Sequence, residues 1–158
     1  MKIKSYKIKG EKYCKFADVL VLVKEVKEKA KKINLQGWQG KDKLDITKKG
    51  TEWHITEHRK DKESGEVAQQ THVVPEAIVA DLWTIIRKRA ITVGEKTKYR
   101  EIVTDIIFKN HIPVSLDEFN GGHNRSKYLF PLYYYPMKVL EAEKYVKYGG
   151  RGQVTRLK

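Results

Sequence analysis

Tyr145-Val-Lys-Tyr-Gly149-Gly150-Arg151-Gly152-Gln-Val-Thr-Arg-Leu-Lys158 carries four positive charges and no acid. Val, Tyr and Thr favour a pleated, half-buried ribbon, and glycine supplies the positive φ angles that a tight hairpin requires. The stretch therefore predicts two short strands around a glycine-rich turn, with Arg151 at the tip. Upstream, Tyr99, Ile102, Val103, Ile106 and Ile107 recur at i, i+3, i+4, i+7 and i+8, one continuous apolar face on a helix from about Thr97 to His111. Pro113 breaks that helix. Ser115-Leu-Asp-Glu118 then has the spacing of a capping box, in which a hydroxyl and a carboxylate satisfy the first N–H groups of a new short helix.

A third element, Asn124 to Glu141, begins polar and ends apolar. Pro131 and Pro136 fall inside it, and an interior proline removes a hydrogen bond at a cost of about 3 kcal/mol. The comfortable division starts a helix near Leu132 or Tyr135, with Pro136 in its first turn, and leaves Asn124 to Phe130 as a separate turn or short helix. Helix, short helix, long helix and basic hairpin, in that order from about Thr97 to Lys158, resembles the winged helix-turn-helix superfamily of DNA-binding domains. The resemblance is one of architecture and rests on no signature motif. It implies double-stranded DNA as partner, with Asn124, Arg125, Ser126, Lys127 and Tyr128 approaching bases or phosphates in the major groove. Lys147, Arg151, Gln153 and Arg156 would contact backbone or minor groove through the wing. His123, beside the glycine pair Gly121-Gly122, joins them as a phosphate contact, because two glycines free backbone N–H groups next to side chains that donate.

The charge balance fits such a partner. The chain of 158 residues holds 33 Lys plus Arg against 20 Asp plus Glu, a net charge of +13. Both halves share the excess, with 18 against 11 up to residue 75 and 15 against 9 beyond it. A field of that sign attracts phosphate backbones and makes binding steeply salt-dependent. Abundant Lys and Glu with few Asn, Gln, Cys and Met is also the surface composition expected of a thermophile.

The N-terminal half reads as a β-α-β-β-β module. Lys2 to Lys9 is a candidate strand. Phe16, Val19, Leu20, Val23, Val26, Ala30 and Ile33 trace one face of a helix. Strand-like runs cover Lys43 to Thr47, Thr51 to Lys60 and Glu66 to Val74, turned at Lys48-Lys-Gly50 and Lys62-Glu-Ser-Gly65. Pro75-Glu76 then starts a helix carrying Ile78, Leu82, Ile85 and Ile86. The expectation is an α+β protein of two parts: residues 1–75, a module of unassigned role for which dimerisation is one option, and residues 76–158, the winged-helix domain. Homodimerisation is accordingly one partner expectation. Trp38, Trp53 and Trp83 are read as core.

Chemistry finds little footing. With Lys60 paired to Glu66, His54 would face His72 across the second hairpin at about 5 Å, but two ligands do not complete a metal site. No Walker loop, zinc-knuckle spacing or paired-histidine nuclease motif is present. The expectation is a regulator of transcription or replication without catalysis, cofactor or metal. The rivals are a metal-dependent nuclease on the N-terminal sheet, an RNA-binding module of double-stranded-RNA type, and a protein-interaction module. The single Cys14 excludes an internal disulfide, and no apolar run is long enough to span a membrane, so a soluble, cytoplasmic and nucleoid-associated protein is expected.

Overall fold

A computed structural model describes residues 43–61, 63–149 and 152–158 with their side chains, and the backbone of the strands at 5–8, 11–16, 19–22 and 33–36. The fold is mixed α+β. Strands β1 (Ser5–Ile8), β2 (Glu11–Phe16) and β3 (Val19–Leu22) form one antiparallel sheet in sequential order. Strands β4 (Ile33–Gln36), β5 (Lys43–Lys49), β6 (Glu52–Lys60) and β7 (Val67–Pro75) form a second. Helix α1 (Glu76–Arg89) follows β7 without a linker, as Pro75-Glu76 predicts, with Pro75 as its N-cap. Then come β8 (Lys96–Lys98), α2 (Tyr99–Lys109), α3 (Leu116–Phe119), α4 (Gly122–Asn124), a π-helical stretch (Arg125–Tyr134) and α5 (Tyr135–Ala142). The closing hairpin, β9 (Val146–Gly149) and β10 (Gln153–Arg156), takes β8 on its free side, in the order β8-β10-β9.

Two sequence readings of the N-terminal half are corrected. Phe16, Val19, Leu20 and Ile33, expected on a helix, lie in β2, β3 and β4; Val23, Val26 and Ala30 lie outside the described residues. The run Val19 to Val23 consists only of Val and Leu, and a short apolar run satisfies strand and helix periods alike. The second hairpin pairs Lys60 with Val67 rather than Glu66. A slip of one residue exchanges the two faces of a strand. His54 therefore opposes Val73 on the outer face, while His72 opposes Ile55 on the inner one, and the expected histidine pair does not form.

The inner face of the second sheet supplies Leu44, Ile46, Trp53, Ile55 and Val74, all buried, to a core continuous with α1, α2, α5 and the hairpin. Helix α5 packs against α1 and also against β4 and β7. That leaves Tyr135, Pro136, Met137, Val139, Leu140 and Ala142 buried around most of its circumference. Where α5 meets the sheet the contact is polar. The Tyr135 hydroxyl shares a 2.8 Å hydrogen bond with His72 Nε2, which stands 3.5 Å from the buried Glu57 carboxylate, and Arg59 donates to the same carboxylate at 3.1 Å. Burial, with the Glu57 charge second, pushes the Tyr135 phenol above its ordinary range.

Both prolines of the third element are accommodated by changing the helix. The Tyr135 N–H reaches back five residues to the Phe130 carbonyl, the wide π spacing, and α5 begins at Tyr135 with Pro136 in its first turn. A fragment covering residues 76–158 retains Ile102, Ile106, Val139 and Val154 but uncovers Val79, Leu140 and Tyr135. Its circular dichroism is expected to stay helical while its melting temperature falls and dyes for exposed apolar surface bind. A sharp transition at the full-chain temperature would instead make residues 76–158 an independent domain.

Candidate nucleic-acid interface

The sheet β8-β10-β9 has two unlike faces. Val154 pairs with Thr97 on one side and Tyr148 on the other, and these three point inward, with Thr97 and Val154 fully buried. Strand alternation then sends their neighbours outward. Thr155 is flanked by Lys96 and Lys147, and Gln153 by Lys98 and Gly149. All three lysines are exposed. Lys96 and Lys147 stand two strand spacings apart, about 10 Å, so their charges share a face without sitting side by side.

Tyr99, the first residue of α2, joins this sheet to the rest of the expected interface. Gly152 at the base of the hairpin turn has φ +67°, and a Cβ there would lie 3.1 Å from Tyr99 Cβ. A side chain at 152 would be both strained and obstructed, so glycine is required for the hairpin to seat on Tyr99. The Tyr99 hydroxyl donates to Asn120 Oδ1, and Asn120 Nδ2 donates to the Leu116 carbonyl at 2.9 Å, closing α3. Arg125 Nε and Nη2 both donate to the Asn120 carbonyl, at 3.1 and 3.0 Å. The Tyr99 ring meets Tyr133 edge-on at 4.9 Å. Burial, reinforced by Tyr148 and opposed by Arg125, pushes the Tyr99 phenol up to about 12.

Beyond this junction lies an exposed basic turn. Gly122 takes φ +49°, and His123, Arg125, Ser126 and Lys127 are exposed, with Asn124 half-buried. Tyr128 turns back to stack on Phe119 at 6.4 Å and supports the turn from beneath, and Lys127 Nζ sits 5.0 Å from its ring. The capping box at Ser115 and Glu118 forms as its spacing predicts: the Ser115 N–H donates to the Glu118 carboxylate at 2.7 Å, and the Glu118 N–H to Ser115 Oγ at 3.3 Å. These backbone and hydroxyl donors hold the Glu118 carboxyl below its usual range.

The sequence-derived residues thus divide. His123, Asn124, Arg125, Ser126 and Lys127 lie together in the turn that Arg125 ties to Asn120, Lys147 and Gln153 lie on the outer face of the hairpin sheet, and Tyr99 contacts both Asn120 and Gly152; Tyr128, expected at the groove, packs on Phe119 instead. Arg151 lies outside the described residues. Arg156 pairs with Val146 on the inner face, where Nη1 donates to the carbonyls of Ala90 (3.1 Å) and Ile91, and its guanidinium lies 5.7 Å from the Trp83 ring. It is held by the C-terminal end of α1, where a cation is favourable. Sequence reading missed Lys96, Lys98 and Arg100 on the exposed side, and Tyr99 and Asn120 beneath it. The signal for the first two was the alternation Lys96-Thr97-Lys98, a three-residue strand with its middle residue inward. Arg100 stands 4.0 Å from Asp117, both largely exposed, a pair of little energetic weight.

Of the three tryptophans, Trp53 is core, whereas Trp83 is only half-buried and lines a cleft of about 310 Å³ with Tyr145, Val79 and Leu140. Trp38 lies outside the described residues. Among the described residues no three His, Cys, Asp or Glu side chains converge, and no helix is long and apolar enough to cross a membrane. Comparison with known proteins returns no matching family, no matching curated protein and no matching solved structure.

Two outcomes are expected from this geometry. The Tyr99 pKa is raised in the fold, to about 12 from an unfolded value of about 10. The stabilisation is therefore complete below pH ~10 and is lost as pH rises through the folded value. Unfolding free energy measured by denaturant titration should fall across that window, less so in Tyr99→Phe; an unaltered slope would exclude Tyr99 as a cause. Arg156→Ala should lower stability by about 1.5 to 3 kcal/mol through loss of charged hydrogen bonds, while DNA affinity at fixed salt stays unchanged. A binding loss without a stability loss would return Arg156 to the interface.

Proposed function

We propose that this chain binds duplex DNA, without catalysis, mainly through phosphate contacts made by the outer face of β8-β10-β9 and the exposed turn His123–Lys127. What supports the reading is that both basic elements are anchored on Tyr99, through Gly152 on one side and Asn120 on the other, and that Lys96, Lys98, Lys147 and Lys127 are all exposed. The sequential order of helix, short helix, helical segment and basic hairpin is what supports a winged-helix relationship. The burial of α5 shapes the reading further. A helix covered by α1 on one flank and by β4 and β7 on another offers little free face to a major groove. Contact by the hairpin sheet and the turn favours backbone positioning over base readout, which suits a protein of broad sequence tolerance acting in transcription or replication.

The test is a salt series on a random duplex. Each neutralised phosphate contributes about 0.9 to the slope of log affinity against log salt, so Lys96→Ala, Lys127→Ala and Lys147→Ala together should reduce that slope by roughly 2 to 3 and leave the melting temperature unchanged. Lys60→Ala, an exposed charge on the far sheet, is the control and should leave the slope as it is. An undiminished slope in the triple variant would falsify the assignment of this face.

A further inference from the structure

Strand β7 is an edge that lacks the usual protection. It terminates the order β4-β5-β6-β7, and no described strand pairs with its outer side. Exposed edges are normally blunted by charge, proline or short length, because a row of free N–H and C=O groups templates pairing with another chain. Val67–Pro75 is nine residues long, about 30 Å, and holds no Lys, Arg, Asp or Glu until it ends at Pro75. Among the described strands it is the only one longer than four residues with no such charge, in a chain where 34% of residues are charged. Val67, Ala68, Gln69, Gln70, Thr71 and Val73 are all exposed, with Val67 at 58% and Val73 at 51%.

The residues along this edge are self-complementary. Antiparallel pairing of two copies about a twofold axis through Gln70 sets Gln70 against Gln70, Gln69 against Thr71, Ala68 against His72 and Val67 against Val73. Each valine then gains a β-branched partner directly opposite, on the face of the sheet where both are now exposed. The central residues are amides and a hydroxyl, able to hydrogen-bond across the join. With a net charge of +13, two copies repel wherever lysines face each other. Along β7 itself no lysine or arginine would face its counterpart.

We infer that β7 pairs with β7 of a second copy of this chain, antiparallel and centred on Gln70, which joins the two four-stranded sheets into one of eight. The contact is isologous, so every pair occurs twice except the one on the axis. A single strand pair with its flanking side chains lies at the small end of specific interfaces, so the dimer is concentration-dependent and favoured by salt that screens the like charges.

Sedimentation equilibrium of the full chain over a roughly hundredfold concentration range, in salt of about 1 M, should show a monomer–dimer equilibrium; at about 0.15 M salt, where charges are screened less, Gln70→Lys, which places two ammonium groups opposite each other, should raise the dissociation constant at least about tenfold over that of the unaltered chain in the same salt. A chain that stays monomeric throughout overturns the proposal, and so does a dimer indifferent to Gln70→Lys. Register is tested independently in a Cys14→Ser background. Opposed residues in antiparallel strands have Cα atoms about 4.5 to 5.5 Å apart, within the disulfide range. Gln70→Cys should therefore cross-link on mild oxidation, Val67→Cys alone should not, and Val67→Cys with Val73→Cys should cross-link again. Cross-linking of Val67→Cys as fast as Gln70→Cys overturns the stated register. These readouts use no DNA, so they stand apart from the test of the basic face.

Discussion

Three consecutive tyrosines leave one helical segment in different directions and fasten its surroundings. Tyr133 turns toward Tyr99 and the hairpin, Tyr134 lies against Phe130 with Lys138 5.9 Å from its ring, and Tyr135 reaches His72 in the sheet. All three are at most 5% exposed. Large aromatic rings bury the most surface per residue, so this one point of the chain holds the hairpin, the helices and the sheet to a common core. The segment can serve this purpose because Pro131 is absorbed where the helix widens to the π spacing, and Pro136 is placed where an N–H is not needed.

That fastening also decides how the basic face is displayed. Because Tyr133 supports Tyr99, and Tyr99 supports both Gly152 and Asn120, the hairpin and the turn bearing Lys127 rest on one rigid base. Tyr133 beneath is buried, Tyr99 and Asn120 are half-buried and hydrogen-bonded to each other, and the lysines of the hairpin and the turn are exposed. A phosphate-binding surface works with mobile lysine tips on a fixed frame, since the ammonium is a point charge with no directional fork to align. Arg125, by contrast, directs two of its five N–H donors to the Asn120 carbonyl and so clamps the turn.

Much of the C-terminal architecture was legible. The apolar stripe of α2, the Ser115–Glu118 capping box, the helix start at Pro75-Glu76 and the strands of the closing hairpin all follow from local rules that tertiary packing did not override. The inward turn of Arg156 was legible too, had alternation been carried through, since it lies two residues from the buried Val154. What local rules could not give were the pairings of distant strands. Strand β8 gains its place from β10, more than fifty residues later in the chain. The register of β6 on β7 turns on one residue that no turn signal fixes, and the whole histidine question turned with it. The stripe from Phe16 to Ile33 misled because Val and Leu in close succession satisfy either period.

Charge is distributed over this protein in a way that separates two kinds of contact. Lysines occupy the outer face of β8-β10-β9 and the Lys127 turn, where the favourable partner is a polyanion and every neutralised phosphate releases counterions. The β7 edge has no such charge, and its favourable partner is backbone, whose N–H and C=O groups are met at full value only by another strand. A surface of uniform lysine density would serve the first contact and forbid the second by repulsion. Nine successive residues without Lys, Arg, Asp or Glu in a chain of net charge +13 leave one edge open to the proposed self-pairing, apart from the lysines proposed to meet phosphate. Under the proposed reading, salt would act on the two contacts with opposite sign, weakening a phosphate contact through counterion release and strengthening a β7 pair by screening like charges.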